Sequence, residues 1–350
     1  MSNLSRRGLL GALGLLPAAR FLRAQRQNPP LPGYSTTVKV VNLFATVRDK
    51  QGKVVTDLKQ DDFLLDEDGK PQTIRYFSRE TDLPLTLGLL VDTSGSERHV
   101  LPDERDASYR FLDQVMRPDK DMAFVIHFDF EVELLQDLTN SKAQLQRSLD
   151  HLDVGNRQLQ RRRPGDGSDA GGGRPPGSGG HHFGGGTALY DAVYLGSDEL
   201  MKHQQGRKAL ILLSDGMDNG SRLTLEKAVE AAQRSDTLVY SILFEDPEGN
   251  RGHGRFGGHG GWGGRGGRSE GDGRKVLERI SRETGGRYFE VTKKEPIDKV
   301  YESLQEELRS QYSIGYTPDS ANTSPDYRRI HLSTKQKSLM VQTREGYYPS

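Results

Sequence analysis

The chain has 350 residues, with 49 Lys+Arg balanced by 49 Asp+Glu, and contains no Cys. That balance argues against nucleic-acid binding through bulk positive charge, and the missing Cys excludes a disulfide scaffold, thiolate metal sites and a cysteine nucleophile. The length fits about two ordinary domains, and 25 of the 41 Gly fall within 155–186 and 249–273, leaving the composition of a folded protein elsewhere.

Residues 1–24 open with Arg6-Arg7 and continue as an apolar run from Gly8 to Ala19, broken only by Pro17. As a helix this run extends roughly 18 Å, short of the ~30 Å hydrocarbon core of a membrane. Ser5-Arg6-Arg7-Gly8-Leu9-Leu10 resembles a twin-arginine export signal, with cleavage expected after Ala24. The alternative is an uncleaved interfacial helix. Export to the periplasm or out of the cell is therefore expected, with no membrane span in the mature chain. Residues 25–34, rich in Pro and polar side chains, read as a linker.

Residues 35–80 are strand-like. Val38, Val40, Leu43, Ala45 and Val47 suggest alternation with a slip near Asn42, and FLLDEDGKPQTIRYF reads as a hairpin around Asp66-Glu67-Asp68-Gly69. These acids lack the spacing and closing Glu of an EF-hand loop, which favours a solvated turn.

From 84 to 311 strands and amphipathic helices alternate. The continuous apolar runs at 85–92, 208–215 and 237–244 mark strands buried on both faces of a parallel sheet. Further strands are expected near 122–128, 132–138 and 287–291. Helices are expected over 103–116, 141–152, 188–203, 224–234, 274–284 and 296–311. This is the pattern of a doubly wound, mostly parallel α/β fold. Residues 312–350 return to strands. Neither flank makes an independent sheet, so the two are expected to pair into one β-sandwich-like module with the α/β domain inserted between them.

Three segments stand at expected strand ends or helix starts, where open α/β sheets bind ligands. The first strand ends in Asp92-Thr93-Ser94-Gly95-Ser96, Gly186-Thr187 opens a helix, and a second strand ends in Ser214-Asp215-Gly216. Two carboxylates and three hydroxyls form an all-oxygen set suited to a hard divalent cation: Mg2+, with Mn2+ or Ca2+ as alternatives. No phosphate-loop motif or G-x-S-x-G elbow is present.

With its surroundings LGLLVDTSGS, GGTALYDAV and ALILLSDGMDN, this set resembles the von Willebrand factor A (VWA) domain and its metal-ion-dependent adhesion site, across roughly 84–311. DFLLDEDGKPQ and YSIGYTP…REGYY are similar to the exported VWFA-related Acidobacterial domain family. The resemblance implies that Ser94, Ser96 and Thr187 bind the metal directly and that Asp92 and Asp215 act directly or through water. An ion held mainly by uncharged groups would then seek a Glu or Asp carboxylate of a protein or matrix partner. The expected function is metal-dependent binding, with no catalytic residue and no nucleic-acid partner. A non-catalytic subunit of an enzyme or metal-inserting complex, and a metal-dependent hydrolase using Ser94, are the other readings.

The glycine tracts carry Arg157, Arg161, Arg162, Arg163 and Arg174, then Arg251, Arg255, Arg265, Arg268 and Arg274. They read as spacers, with steering of acidic ligands as a secondary role. His181, His182, His253 and His259 have no fixed spacing for a transition-metal site, and Phe256 and Trp262 are weak anchor candidates.

Overall fold

The computed structural model describes residues 40–79, 83–95, 100–161, 186–244, 269–318 and 326–349. The signal segment 1–24, the linker 25–34, Ser96 and most of both glycine tracts lie outside them. The described residues fall within one compact unit, Lys39–Ser350.

The N-terminal flank supplies β1 (Val41–Arg48), β2 (Phe63–Glu67), β3 (Lys70–Pro71) and β4 (Ile74–Ser78). In β1 the alternation starts at Val41 and runs through Leu43, Ala45 and Val47, so the expected slip near Asn42 is simply where the strand's phase begins. Asp68 and Gly69 both adopt positive φ, 49° and 76°, and form the two-residue turn between β2 and β3. The returning arm is only Lys70–Pro71; the chain then crosses over, and β4 pairs with a C-terminal strand instead. The expected single hairpin is therefore split between two sheets.

The central body contains β5 (Leu85–Asp92), α1 (Leu101–Val115), β6 (Met122–Phe128), β7 (Val132–Thr139) and α2 (Lys142–Arg161). It continues with α3 (Leu189–Tyr194), β8 (Arg207–Leu213), α4 (Leu225–Arg234), β9 (Leu238–Phe244), α5 (Ser269–Thr284), β10 (Tyr288–Val291) and α6 (Ile297–Arg309). The strand order is β10-β9-β8-β5-β6-β7, and only the edge strand β7 runs antiparallel. All eight residues of β5 and all seven of β8 are buried, as the unbroken apolar runs require.

Alternate residues of these strands feed two cores. Leu87, Leu89 and Val91 face α1, α2 and α6, whereas Leu90, Phe124, Leu210 and Leu212 face α3, α4 and α5. Pro102 stands in the first turn of α1, where its missing N–H costs nothing, followed by Asp103 and Glu104 at the positive end of the helix dipole. The Thr224 hydroxyl caps α4 by accepting Lys227 N–H at 3.4 Å. The expected helix over 188–203 winds in two ways, α-helical to Tyr194 and π-helical over Leu195–Met201.

The C-terminal flank adds β11 (Tyr312–Tyr316), β12 (Arg328–Thr334), β13 (Met340–Gln342) and β14 (Gly346–Tyr347). Both remaining sheets mix the flanks, in the orders β13-β1-β11-β4 and β14-β12-β2-β3. Between them Leu43, Phe63, Leu65, Tyr312, Ile314 and Leu332 form a third core. Within it, Glu67 accepts the Tyr316 hydroxyl at 2.5 Å and Arg328 Nη1 at 2.9 Å, so a buried charge is fully engaged across the sandwich. The α/β body is thus inserted into a module that neither flank completes. The other face of β1 meets the body: buried Arg48 pairs with Glu307 of α6, which also accepts Gln342 Nε2 at 3.2 Å.

Candidate metal centre

β5 ends at Asp92, which lies opposite Phe128 of β6, while Val91 lies opposite Leu213 of β8. This register brings the Asp92 side chain against Ser214, the first residue beyond β8. Asp92 is 0% exposed. Its Oδ1 accepts Ser94 N–H at 2.9 Å and its Oδ2 accepts the Ser214 hydroxyl at 2.7 Å. Ser214 Oγ in turn accepts Gly216 N–H at 3.0 Å, and Asp215 Oδ1 accepts Met217 N–H at 2.9 Å. The loop after β8 is therefore wound around its own carboxylate and hung from Asp92.

Farther along, the same loop reaches Thr187. Asn219 Oδ1 accepts Thr187 N–H at 2.7 Å, and Asn219 and Gly220 N–H donate to Thr187 O at 3.2 and 3.0 Å. Ala188 N–H donates to Asp129 O, just beyond β6, at 2.6 Å. Asp191 accepts the N–H groups of Arg222 and Leu223, and Ser221 Oγ accepts those of Tyr190 and Asp191. Asp92, Ser94, Thr187 and Asp215 thus stand on three chain segments laced into one rim at the carboxyl ends of β5, β6 and β8. Ser96 lies outside the described residues.

Two glycines seat the loop on α5. A Cβ at Gly273 would lie 2.3 Å from Asp215 O, and one at Gly216, whose φ is +77°, would lie 2.3 Å from Gly273 O. Only hydrogen at both positions permits this approach.

Burial pushes the Asp92 carboxyl up to about 6, against the hydrogen bonds from Ser214 and Ser94, and the nearby charge of Asp215 adds to the rise. No ion pair to Asp92 is found among the described residues. Thr187 is only 5% exposed, yet its hydroxyl has no hydrogen-bond partner among them. A buried carboxylate without a counter-charge among the described residues, beside a hydroxyl not engaged by them, offers the oxygen donors a hard cation would take. Among the described residues no three His, Asp or Glu side chains gather as a metal-ligand cluster.

Sequence reasoning overlooked the groups that do the lacing. Ser214 stands in the motif without a role assigned to it, and nothing in the spacing of Asn219, Ser221, Asp129, Asp191 or Gly273 distinguishes them. It also overlooked His127. The Thr93 hydroxyl lies 3.2 Å from His127 Nδ1, and His127 Nε2 lies 3.0 Å from Glu133 Oε2, which braces the Asp92–Ser94 turn against β6 and β7. His99, His181, His182, His253, His259, Phe256 and Trp262 lie outside the described residues.

The mostly parallel six-stranded sheet with helices on both faces agrees with the fold expected from the sequence. The central body has a von Willebrand factor A-like α/β fold. No family model matches the sequence, and no curated protein matches it. Among solved structures, the chain is similar to proximal thread matrix protein 1 from the mussel byssus, at 15% identity and a TM-score of 0.42 over 69% of this chain and 50% of that one. One structure of that mussel protein has a zinc-occupied adhesion-site motif. BatB from Bacteroides thetaiotaomicron matches at 15% identity and a TM-score of 0.39, over 65% of this chain and 97% of that one. The vWF domain of the pilus tip protein Mfa5 from Porphyromonas gingivalis matches at 12% identity and a TM-score of 0.40, over 64% and 94%. The match spans about half the length of the mussel protein. No helix among the described residues is long and apolar enough to cross a membrane.

Proposed function

We propose that this chain is an exported binding module in which Asp92, Ser94, Ser96, Thr187 and Asp215 hold a divalent cation, Mg2+ with Mn2+ or Ca2+ as substitutes. The cation would offer positive charge to a Glu or Asp carboxylate of a protein or matrix partner. The observation that carries this reading is Asp92, fully buried beside Asp215 with no counter-charge among the described residues. Ser214 and Ser94 fix both its oxygens, so the carboxylate is oriented before any ion arrives. Asn219 holds the Thr187 backbone, and the Thr187 hydroxyl has no partner among the described residues. The hydroxyl donors carry no charge, so two carboxylates alone face the ion, which leaves it able to accept a third.

The export reading rests on the resemblance of residues 5–10 to a twin-arginine signal, and the rim reads as a binding surface rather than a catalytic one. Isothermal titration of the full chain with MgCl2 is expected to show one site that Asp92→Ala and Thr187→Ala both abolish. Unchanged affinity in either variant overturns the reading. A pull-down from periplasmic extract in MgCl2, repeated in EDTA, then tests whether a partner depends on the ion.

A further inference from the structure

The turn from β6 to β7 reaches the same rim. Asp129 N–H donates to Glu131 O at 3.1 Å, Glu131 N–H donates to Asp129 Oδ1 at 3.0 Å, and Asp129 O takes Ala188 N–H beside Thr187. This tight turn leaves Phe130 at its tip, 61% exposed, the largest exposure of any large apolar side chain among the described residues. Leu134, on the following edge strand, is 38% exposed. Phe130 does nothing for the core that a polar residue would not do, and its position is fixed by bonds to the rim rather than by packing. Its neighbours are acidic: Glu131 is exposed and has no ion pair among the described residues, and Glu133 meets only His127.

Resting on the cation reading above, we infer that Phe130 is an apolar subsite beside the rim. The partner segment carries one carboxylate for the ion and, next to it, a bulky apolar side chain flanked by Lys or Arg. The apolar side chain covers Phe130 and leans toward Leu134. The flanking cation answers Glu131, which would repel a second acid. A second acid beside Phe130 is disfavoured by Glu131.

The test is selection of phage-displayed random peptides on the immobilised full chain in MgCl2, with elution by EDTA. Enriched peptides are expected to carry one Asp or Glu and, at a constant offset, an apolar residue adjoining Lys or Arg. Phe130→Ser should weaken a selected synthetic peptide about tenfold, the scale for losing one buried anchor, while Mg2+ affinity stays unchanged. Glu131→Lys should remove the preference for Lys or Arg. EDTA-eluted peptides sharing an acid but no apolar or basic position overturn this inference and leave the cation reading standing. Failure to enrich any EDTA-sensitive peptide overturns both.

Discussion

The Ser214 hydroxyl donates to Asp92 Oδ2 at 2.7 Å, joining the ends of β8 and β5 inside the protein. With Ser94 N–H on the other oxygen, that bond orients a carboxylate without neutralising it, and the cost of keeping it charged is measurable. Asp92 has a folded-state value of about 6 against 3.8 for a free side chain. A raised carboxyl binds its proton more tightly in the folded than in the unfolded chain, so the ionised group opposes folding fully above about pH 6. The opposition fades as pH falls from 6 toward 4. In EDTA, Asp92→Asn is therefore expected to be more stable than wild type by about 2 to 3 kcal/mol at pH 7, with the gap closing by pH 4. Urea unfolding at both pH values checks this, and an equal gap at both would refute the electrostatic account.

Thr187 separates binding from stability. Its hydroxyl has no protein partner among the described residues, so Thr187→Val should alter metal-free stability by no more than about 0.5 kcal/mol. The same change is expected to weaken Mg2+ binding at least tenfold, whereas Thr187→Ser retains it. Calorimetric titration beside thermal melting in EDTA distinguishes a lost ligand from a damaged fold.

Gly273 positions Asp215 from a distant helix. A methyl group there would lie 2.3 Å from Asp215 O, so Gly273→Ala must displace the loop after β8. A loss of about 1 to 3 kcal/mol in stability is expected, together with weaker Mg2+ binding although no oxygen has been removed. Gly271→Ala, in the same helix, serves as the control for helix propensity. Equal Mg2+ affinity in both variants would remove Gly273 from this role.

The joint between the α/β body and the β-module depends on Glu307, whose side chain is 0% exposed and paired with Arg48. Glu307→Ala strands the Arg48 guanidinium and should cost about 3 to 5 kcal/mol. Replacing both partners, as in Arg48→Met with Glu307→Leu, should recover most of that loss. Denaturant midpoints for the three variants test it, and a double variant no better than the single one would contradict the pairing.

Much of this architecture could be read from the chain. The runs at 85–92 and 208–215 are too apolar for anything but inner strands, and Asp92 and Asp215 fall at the rim because such runs end there. The pairing of the flanks followed from neither being able to cover its own apolar face. What escaped was non-local. Nothing near Asn219 says that its amide will grip Thr187, and nothing near Gly273 says that a loop will press upon it. Likewise β4 leaves its hairpin because Ile74 finds a partner at Tyr316, far along the chain. Helix ends at Arg161 and Ser269 ran past their expected limits because apolar periodicity marks a packed face, not the last hydrogen bond of a helix.

The insertion of the α/β body has a mechanical consequence. Strands that precede it are hydrogen-bonded to strands that follow it, β1 and β4 to β11 and β2 to β12. Tension applied between Val41 and Tyr347 is carried first across these ladders, so the strands of the module must shear before the inserted body is drawn out between them.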